Sequence, residues 1–176
     1  FIVALLLFAF LFYVFKIMKN KHHPLESQEN PNFLEEDSCL PFDTYPRPQL
    51  KRDSFVNLNG KWTLNEKSII VPFPPESEAS EYNGKLGKNF EYSKKFVLPK
   101  NFIKDSTDRI ILHFGAVDQI AKVFIDDIFV GIHKGGYLPF SFDITDYLDK
   151  TGEHELKVLA KDTLSHTYPY GKQKKN

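Results

Sequence analysis

The fold is decided by residues 109–148, which read RIILHFGAVDQIAKVFIDDIFVGIHKGGYLPFSFDITDYL. Apolar and polar residues alternate at 109–114, 121–125 and 128–132, and successive side chains of a β-strand point to opposite faces of a sheet. The pair Asp126 and Asp127 separates the last two runs, and acidic residues tolerate the positive φ angles of a two-residue turn. The stretch therefore predicts one strand followed by a β-hairpin.

The second half of this stretch predicts a corner of the sheet. Gly135 and Gly136 mark a turn or a bulge, because a side chain would clash there. Residues 140–143 alternate again and predict a short strand. Thr145 or Asp146 is then expected to cap a single helical turn. These residues shape a sheet and include no group that the pattern assigns to catalysis.

The same alternation recurs outside this stretch. It predicts strands at 61–64, where Trp62 is a core ring, at 90–98 and at 155–161. From Thr44 onward, short runs of β-branched and aromatic residues are separated by turn residues, and no apolar stripe of helical period competes with them. We therefore predict an all-β sandwich.

Composition limits the classes of function. The chain has 176 residues with 41% hydrophobic and 15% aromatic content, enough for one domain with a real core. Its 23 Lys and Arg balance 23 Asp and Glu, so no net field attracts nucleic acid. Cys39 cannot form an internal disulfide, and the adjacent His22 and His23 have poor geometry for one metal. We expect no metal and no cofactor.

The N-terminal segment points to a membrane. Residues 1–15 read FIVALLLFAFLFYVF and are wholly apolar, and lysines follow at once. They predict a hydrophobic helix over residues 1–18, either a signal-peptide core or a short membrane anchor. No small-x-small cleavage site follows, which favours an uncleaved anchor with the sandwich on the secretory or extracellular side. Residues 19–43 are polar and rich in proline, which is typical of a linker, and residues 44–176 form the predicted sandwich domain.

Several blocks of the chain carry a resemblance to a known family. The blocks are 45–64 (YPRPQLKRDSFVNLNGKWTL), 69–80 (IIVPFPPESEAS), 109–148 and the GKQ at 171–173. Together they resemble the N-terminal sugar-binding domain of glycoside hydrolase family 2, the β-galactosidase, β-glucuronidase and β-mannosidase group. The resemblance implies a jelly-roll sandwich that binds a β-glycoside. It also implies immunoglobulin-like and TIM-barrel domains downstream, with both catalytic glutamates on the barrel.

The resemblance implies which residues contact sugar. By position, Glu76 and Asp162 match loop groups that accept sugar hydroxyls in relatives, although each carboxylate could instead cap a loop or face solvent. Tyr137 could stack on a sugar ring, or it could pack against a neighbouring domain as a loop lid. Asp118 is expected to orient a loop. His133, at a strand end, is expected to be a packed or half-exposed strand residue.

Three hypotheses for function follow. The first is an anchored sugar-binding part of a family 2 β-glycosidase, which hydrolyses O-glycosyl bonds through a barrel absent from this chain. This chain alone is then inactive, contributes no catalytic residue and exposes an apolar patch where later domains pack. The alternative is a membrane-anchored noncatalytic carbohydrate-binding or adhesion module, and the third is a membrane-tethered scaffold. In each case a Gly136→Val substitution is expected to damage folding.

Overall fold

The structure is a computed structural model that describes residues 12–17, 40–43, 54–100, 102, 105–149 and 152–163. The described strands are β1 (Phe12–Ile17), β2 (Phe55–Asn57), β3 (Gly60–Leu64), β4 (Lys67–Val71), β5 (Asn89–Val97), β6 (Arg109–Phe114), β7 (Ile120–Ile125), β8 (Ile128–Lys134), β9 (Phe140–Asp143) and β10 (Glu153–Lys161). Two single 3-10 turns, Glu78–Ser80 and Thr145–Tyr147, interrupt the connections.

The strands form two sheets, and every described pairing is antiparallel. The smaller sheet has the order β2-β1-β6-β9, and the larger has the order β4-β3-β5-β10-β7-β8. The longest ladder joins β5 and β10 from Asn89 opposite Lys161 to Val97 opposite Glu153. This ladder places β10 at the centre of the larger sheet and leaves β8 at one edge.

The core lies between the two sheets. Leu112 and Phe114 of the smaller sheet belong to the same buried cluster as Val123 and Val158 of the larger sheet. Burying each such side chain stabilises the fold by about 1.5–3 kcal/mol. Trp62 is a core ring, 2% exposed, and its Nε1 donates to the Leu58 carbonyl at 2.6 Å. The structure thus confirms the all-β sandwich, and the finer jelly-roll assignment stays a prediction.

The predicted hairpin is confirmed. Strand β6 has the predicted limits, and β7 and β8 are joined by Asp126 at φ 48° and Asp127 at φ 62°. Two positive φ angles identify the type I′ turn that fits the twist of paired strands. The ladder also contains a bulge between Val123 and Phe124, which the alternation did not predict.

The predicted cap of the turn after β9 is wrong. Ile144 takes the cap position of the Thr145–Tyr147 turn, and no side chain caps it. The Thr145 hydroxyl instead accepts from the Ile110 backbone N–H at 2.8 Å and donates to Asp143 at 2.6 Å. Its role is to join β6 to the end of β9.

The hydrophobic helix predicted over residues 1–18 is wrong for residues 12–17, the part of this segment that the structure describes. Residues 12–17 form strand β1, which pairs with β2 and with β6, from Phe12 opposite Phe114 to Ile17 opposite Arg109. Among the residues that the structure describes, no helix has the length and apolar content to cross a membrane. The membrane location predicted from this segment is therefore wrong. Residues 1–11 and 18 lie outside the described residues.

Only the end of the predicted linker is described, and it is attached to the sandwich. Asn57 Nδ2 donates to the Phe42 carbonyl at 3.0 Å, and Asn59 Nδ2 donates to the Pro41 carbonyl at 3.1 Å. Residues 19–39 lie outside the described residues, as do residues 44–53 and 164–176 of the predicted sandwich domain, including the GKQ.

Candidate functional site

Three loops meet at one end of the sandwich. They are residues 115–119 between β6 and β7, residues 135–139 between β8 and β9, and residues 162–163 after β10. The antiparallel order explains this meeting, because β10 ends beside the start of β7, and β7 starts beside the end of β8. We call these three segments the loop cluster.

Backbone hydrogen bonds hold the loop cluster together. Gln119 N–H donates to the Lys161 carbonyl at 3.1 Å, and Gly135 N–H donates to the Gln119 carbonyl at 2.7 Å. Asp162 N–H donates to the Lys88 carbonyl at 2.9 Å, at the start of β5. Gln119 therefore links β10 to the glycine pair, and side chains on the three loops have fixed relative positions.

The glycine pair lets the loops approach closely. Gly135 has φ 119°, which disfavours any residue with a side chain, and Gly136 is buried beside Asp118. A Cβ atom on Gly136 would lie 2.7 Å from Asp118 Cγ, closer than real Cβ contacts. Where the sequence predicted a turn or a bulge, the chain bends at residues 136–138. The close approach of Asp118 to Gly136 is a feature that sequence reasoning missed.

Asp118 and Asp162 interact electrostatically. Burial raises the pKa of Asp118 to about 6, with a further contribution from the negative charge of Asp162. Above that pH the Asp118 side chain is a carboxylate, which only accepts hydrogen bonds. The loop cluster can therefore offer acceptor oxygens to a ligand rich in hydroxyl groups.

Tyr137 and Asp162, two of the three predicted sugar contacts, both lie in the loop cluster. Tyr137 directly follows Gly136 and is 45% exposed. An aromatic ring with an accessible face suits the apolar face of a pyranose. The structure thus brings an aromatic ring and two carboxyl groups to one end of the sandwich, and the predicted role of Tyr137 and Asp162 in sugar binding stays a prediction.

The third predicted contact, Glu76, lies elsewhere. It is exposed in the segment between β4 and the Glu78–Ser80 turn. Its charge adds to burial, the larger cause, in raising the pKa of Tyr92 on β5. Among the described residues, Glu76 makes no hydrogen bond or ion pair with the loop cluster.

Two buried polar atoms of the same region were not predicted. Gln119 is 7% exposed, and its Oε1 has no hydrogen-bond partner within the described residues. His133 Nε2 is also buried and unpartnered there, while its ring stacks on Phe140 with centroids 4.0 Å apart. The packed-strand interpretation of His133 fits this stacking. No periodicity in the sequence could have revealed the state of Gln119, because it depends on loop conformation.

The described part of the chain holds no metal-ligand cluster. Within the described ranges, no three His, Cys, Asp or Glu side chains come close enough together to hold an ion.

Comparison with known proteins identifies relatives of this fold. The family model described as "Glycosyl hydrolases family 2, sugar binding domain" matches residues 48–166. The β-galactosidase of Thermoanaerobacter pseudethanolicus is 36% identical over 75 residues, which cover 43% of this chain and 10% of that protein. The β-glucuronidase of Sus scrofa is 32% identical over 111 residues, which cover 59% of this chain and 17% of that protein. The chain thus spans less than a fifth of these relatives.

Solved structures show the same similarity. The β-glucuronidase of Bifidobacterium dentium complexed with coumarin-3-O-glucuronide matches with a TM-score of 0.55 and 25% identity, over 63% of this chain and 20% of that one. The β-D-glucuronidase of Dictyoglomus thermophilum matches with a TM-score of 0.50 and 26% identity, over 61% and 19%.

Proposed function

Because the chain belongs to the sugar-binding domains of glycosyl hydrolase family 2, we propose that it is the sugar-binding domain of a β-glycosidase that hydrolyses its substrate elsewhere in the protein. The observation that carries this proposal is the family match over residues 48–166, which includes every strand from β2 to β10. The ligand class is a β-glycoside, because the relatives are named as β-galactosidases and β-glucuronidases.

The separation of binding from hydrolysis follows from the size of the match. A retaining glycosidase needs two carboxyl groups about 5–5.5 Å apart, one on each side of the scissile bond. The pig β-glucuronidase matches over only 17% of its length, and the remainder is available to carry that pair. The resemblance assigns this pair of carboxyl groups to a TIM barrel that follows an immunoglobulin-like domain. Asp118 and Asp162 act here as hydroxyl acceptors.

The exposed apolar side chains of edge strand β8 are a second reason to propose a neighbouring domain in the same enzyme. Ile128 is 56% exposed, Phe129 is 52% exposed and Ile132 is 45% exposed. An edge strand that presents apolar side chains invites association with another surface. We assign this surface to the next domain of the β-glycosidase, since the relatives extend far beyond the matched region.

The loop cluster supplies the sugar contact in this proposal. The Asp118 and Asp162 carboxylates accept hydroxyl hydrogens, and the Tyr137 ring covers the apolar face of the sugar. The contact is weak by itself, because few groups take part and the ligand remains largely in water. Its contribution in the complete enzyme is to position the sugar for chemistry performed by the barrel.

A chemical-shift titration tests the proposal. The 176-residue chain, labelled with 15N, is titrated with methyl β-D-glucuronide and methyl β-D-galactoside, and the expected shifts are in the loop cluster. A Tyr137→Ala variant should bind about tenfold more weakly, the loss of about 1.4 kcal/mol. Phe129→Ala removes a comparably exposed ring from β8 and should bind as the parent does. Equal loss in both variants, or shifts elsewhere for both sugars, contradicts the role of the loop cluster.

A further inference from the structure

The sequence contains two asparagines that are followed by glycine, in the pairs Asn59–Gly60 and Asn83–Gly84. Such a pair is chemically labile. Glycine has no side chain to hinder its backbone nitrogen, which can therefore reach the carbonyl carbon of the asparagine side chain. The surroundings of each pair determine whether it can react in the folded protein.

The pair Asn59–Gly60 is held inside the fold. Asn59 is 0% exposed, and its Nδ2 donates to the Pro41 carbonyl at 3.1 Å. Gly60 is also buried and stands opposite Val71 on the ladder between β3 and β4. The Asn59 side chain therefore cannot turn toward the Gly60 nitrogen without losing its hydrogen bond, and water has little access to it.

The pair Asn83–Gly84 lies on the exposed connection between the Glu78–Ser80 turn and β5. Asn83 is exposed, and among the residues that the structure describes no hydrogen bond holds its side chain or the Gly84 N–H. A Cβ atom on Gly84 would overlap the Tyr82 ring, with Cε2 2.8 Å away, and Tyr82 packs against the core. The packing of Tyr82 therefore favours glycine at the position that makes Asn83 reactive.

Lys67 on β4 contacts the reactive peptide group. Its Nζ donates at 3.4 Å to the Asn83 carbonyl, which belongs to the same peptide group as the Gly84 N–H. When that N–H loses its proton, resonance spreads the negative charge onto the carbonyl oxygen, where the ammonium group stabilises it. Lys94 makes the same contact with the Asn59 carbonyl, also at 3.4 Å. Exposure of the asparagine is therefore what distinguishes the two pairs.

We propose that Asn83 is a deamidation site of the folded protein, promoted by Lys67, and that Asn59 is protected. The Gly84 nitrogen attacks Asn83 Cγ, and a bond forms between them while the bond from Cγ to Nδ2 breaks. The leaving NH2 group takes up the proton that the Gly84 nitrogen loses and departs as ammonia. Water then opens the cyclic imide at either carbonyl, which gives aspartate or iso-aspartate. The net reaction consumes one water and adds a negative charge beside Lys67.

Peptide mapping tests this site. The 176-residue chain is kept in neutral buffer at 37 °C, and samples are digested with trypsin and compared with chain that was not incubated. Peptide 68–85 contains Asn83 as its only asparagine, and peptide 53–61 contains Asn59. We expect deamidation in peptide 68–85 to be at least about tenfold faster. In denaturant the two rates should become similar, because both pairs are then exposed. Equal rates in the folded chain, or an Asn83 that reacts only in denaturant, contradict the proposal.

Variants test the residues involved. Asn83→Gln should abolish the change in peptide 68–85, because glutamine would have to form a larger ring. Lys67→Met should slow deamidation of Asn83 by about two- to fivefold, the effect of an exposed charge contact. Lys122→Met removes an exposed lysine from β7 and should leave the rate unchanged. Fragmentation of the peptides locates the modified residue in each variant. An equal rate in the Lys67→Met and Lys122→Met variants would contradict the role of Lys67.

Discussion

Asp118 occupies the space into which a side chain on Gly136 would extend. A Cβ atom at Gly136 would lie 2.7 Å from Asp118 Cγ and 3.0 Å from Asp118 Cβ. The crowding involves the base of the aspartate side chain as well as its flexible end. The contact between the β6–β7 loop and the β8–β9 loop therefore requires glycine at this position for lack of space.

Gly136→Ala should destabilise the sandwich by about 1–3 kcal/mol, the usual cost of overpacking, and Gly136→Val should cost more. Gly87→Ala is the control, because the nearest atom to its new Cβ is 4.0 Å away, and it should change stability by less than about 0.5 kcal/mol. Urea denaturation measures both. Equal midpoints for the two alanine variants would contradict the steric role of Asp118.

Asp126→Asn should destabilise the protein by about 1–3 kcal/mol, because the substitution weakens the hydrogen bond between residue 126 and the buried ring of His154. His154 is 4% exposed, and its Nδ1 lies 2.6 Å from Asp126 Oδ2. Asparagine tolerates the positive φ of 48° at this position, so the turn itself is preserved. Asp127→Asn changes the more exposed turn residue and should cost less. Thermal denaturation at pH 7 compares the two variants.

The same pair predicts a dependence of stability on acid pH. Burial tends to raise the pKa of Asp126, but hydrogen bonds from the His154 ring and the Glu155 backbone N–H outweigh it and hold the pKa below its usual range. A carboxyl group whose pKa is lowered by folding stabilises the fold above its ordinary value of 3.8, and this contribution is lost as pH falls through the lowered pKa. Between pH 5 and pH 2, the Asp126→Asn variant should therefore lose less stability than the parent.

Asp118 should show the opposite dependence. Burial and the charge of Asp162 raise its pKa to about 6, so the folded state holds this proton more tightly than the unfolded chain does. The contribution of Asp118 to stability is therefore greatest below pH 3.8 and decreases as pH rises to about 6. Carbon-13 NMR of the carboxyl group measures the pKa directly. The pKa of Asp118 should fall in an Asp162→Asn variant. A pKa of Asp118 near its ordinary value of 3.8 in the parent would contradict this prediction.

The apolar edge strand should make the isolated chain self-associate. Ile132 on β8 is 45% exposed, and a lysine on an edge strand blocks pairing with another chain. Ile132→Lys should therefore shift sedimentation toward monomer. Leu86→Lys adds the same charge at another position that is 45% exposed, away from the sheet edge, and should have no such effect. If the parent chain is monomeric at high concentration, the exposed side chains of β8 do not cause self-association, and the prediction is wrong.

Alternation of side chains made much of the sandwich predictable. Residues 109–114 and the Asp126–Asp127 turn were placed correctly, because one buried face and one solvent face leave a clear period of two in the sequence. Residues 12–17 were misassigned, because most of them belong to the wholly apolar run 1–15, which has no period and is compatible with either a helix or a buried strand. The cap at Thr145 failed because its hydroxyl bonds across to β6, a contact that local sequence does not encode.

The candidate sites were less predictable for a related reason. Asp162 and Tyr137 could be named one at a time, but their place in one cluster depends on strand order, which alternation leaves undetermined. Asp118 is the clearest case. Its proximity to Asp162 arises from the backbone bond between Gln119 and Lys161, at the ends of two strands far apart in the chain. The short pairing between β3 and β5, at Thr63 and Leu64 alone, likewise depends on the path of the two strands and leaves no mark in the sequence.

The central claim is that this chain binds a β-glycoside that it does not itself cleave. Saturation-transfer NMR of nitrophenyl β-D-glucuronide with the 176-residue chain reads both parts of this claim in one sample. We expect magnetisation transfer to the sugar protons, lost in the Tyr137→Ala variant, while the compound stays intact. Release of nitrophenol above the buffer rate, or absence of transfer to both this compound and the β-galactoside, would contradict the account.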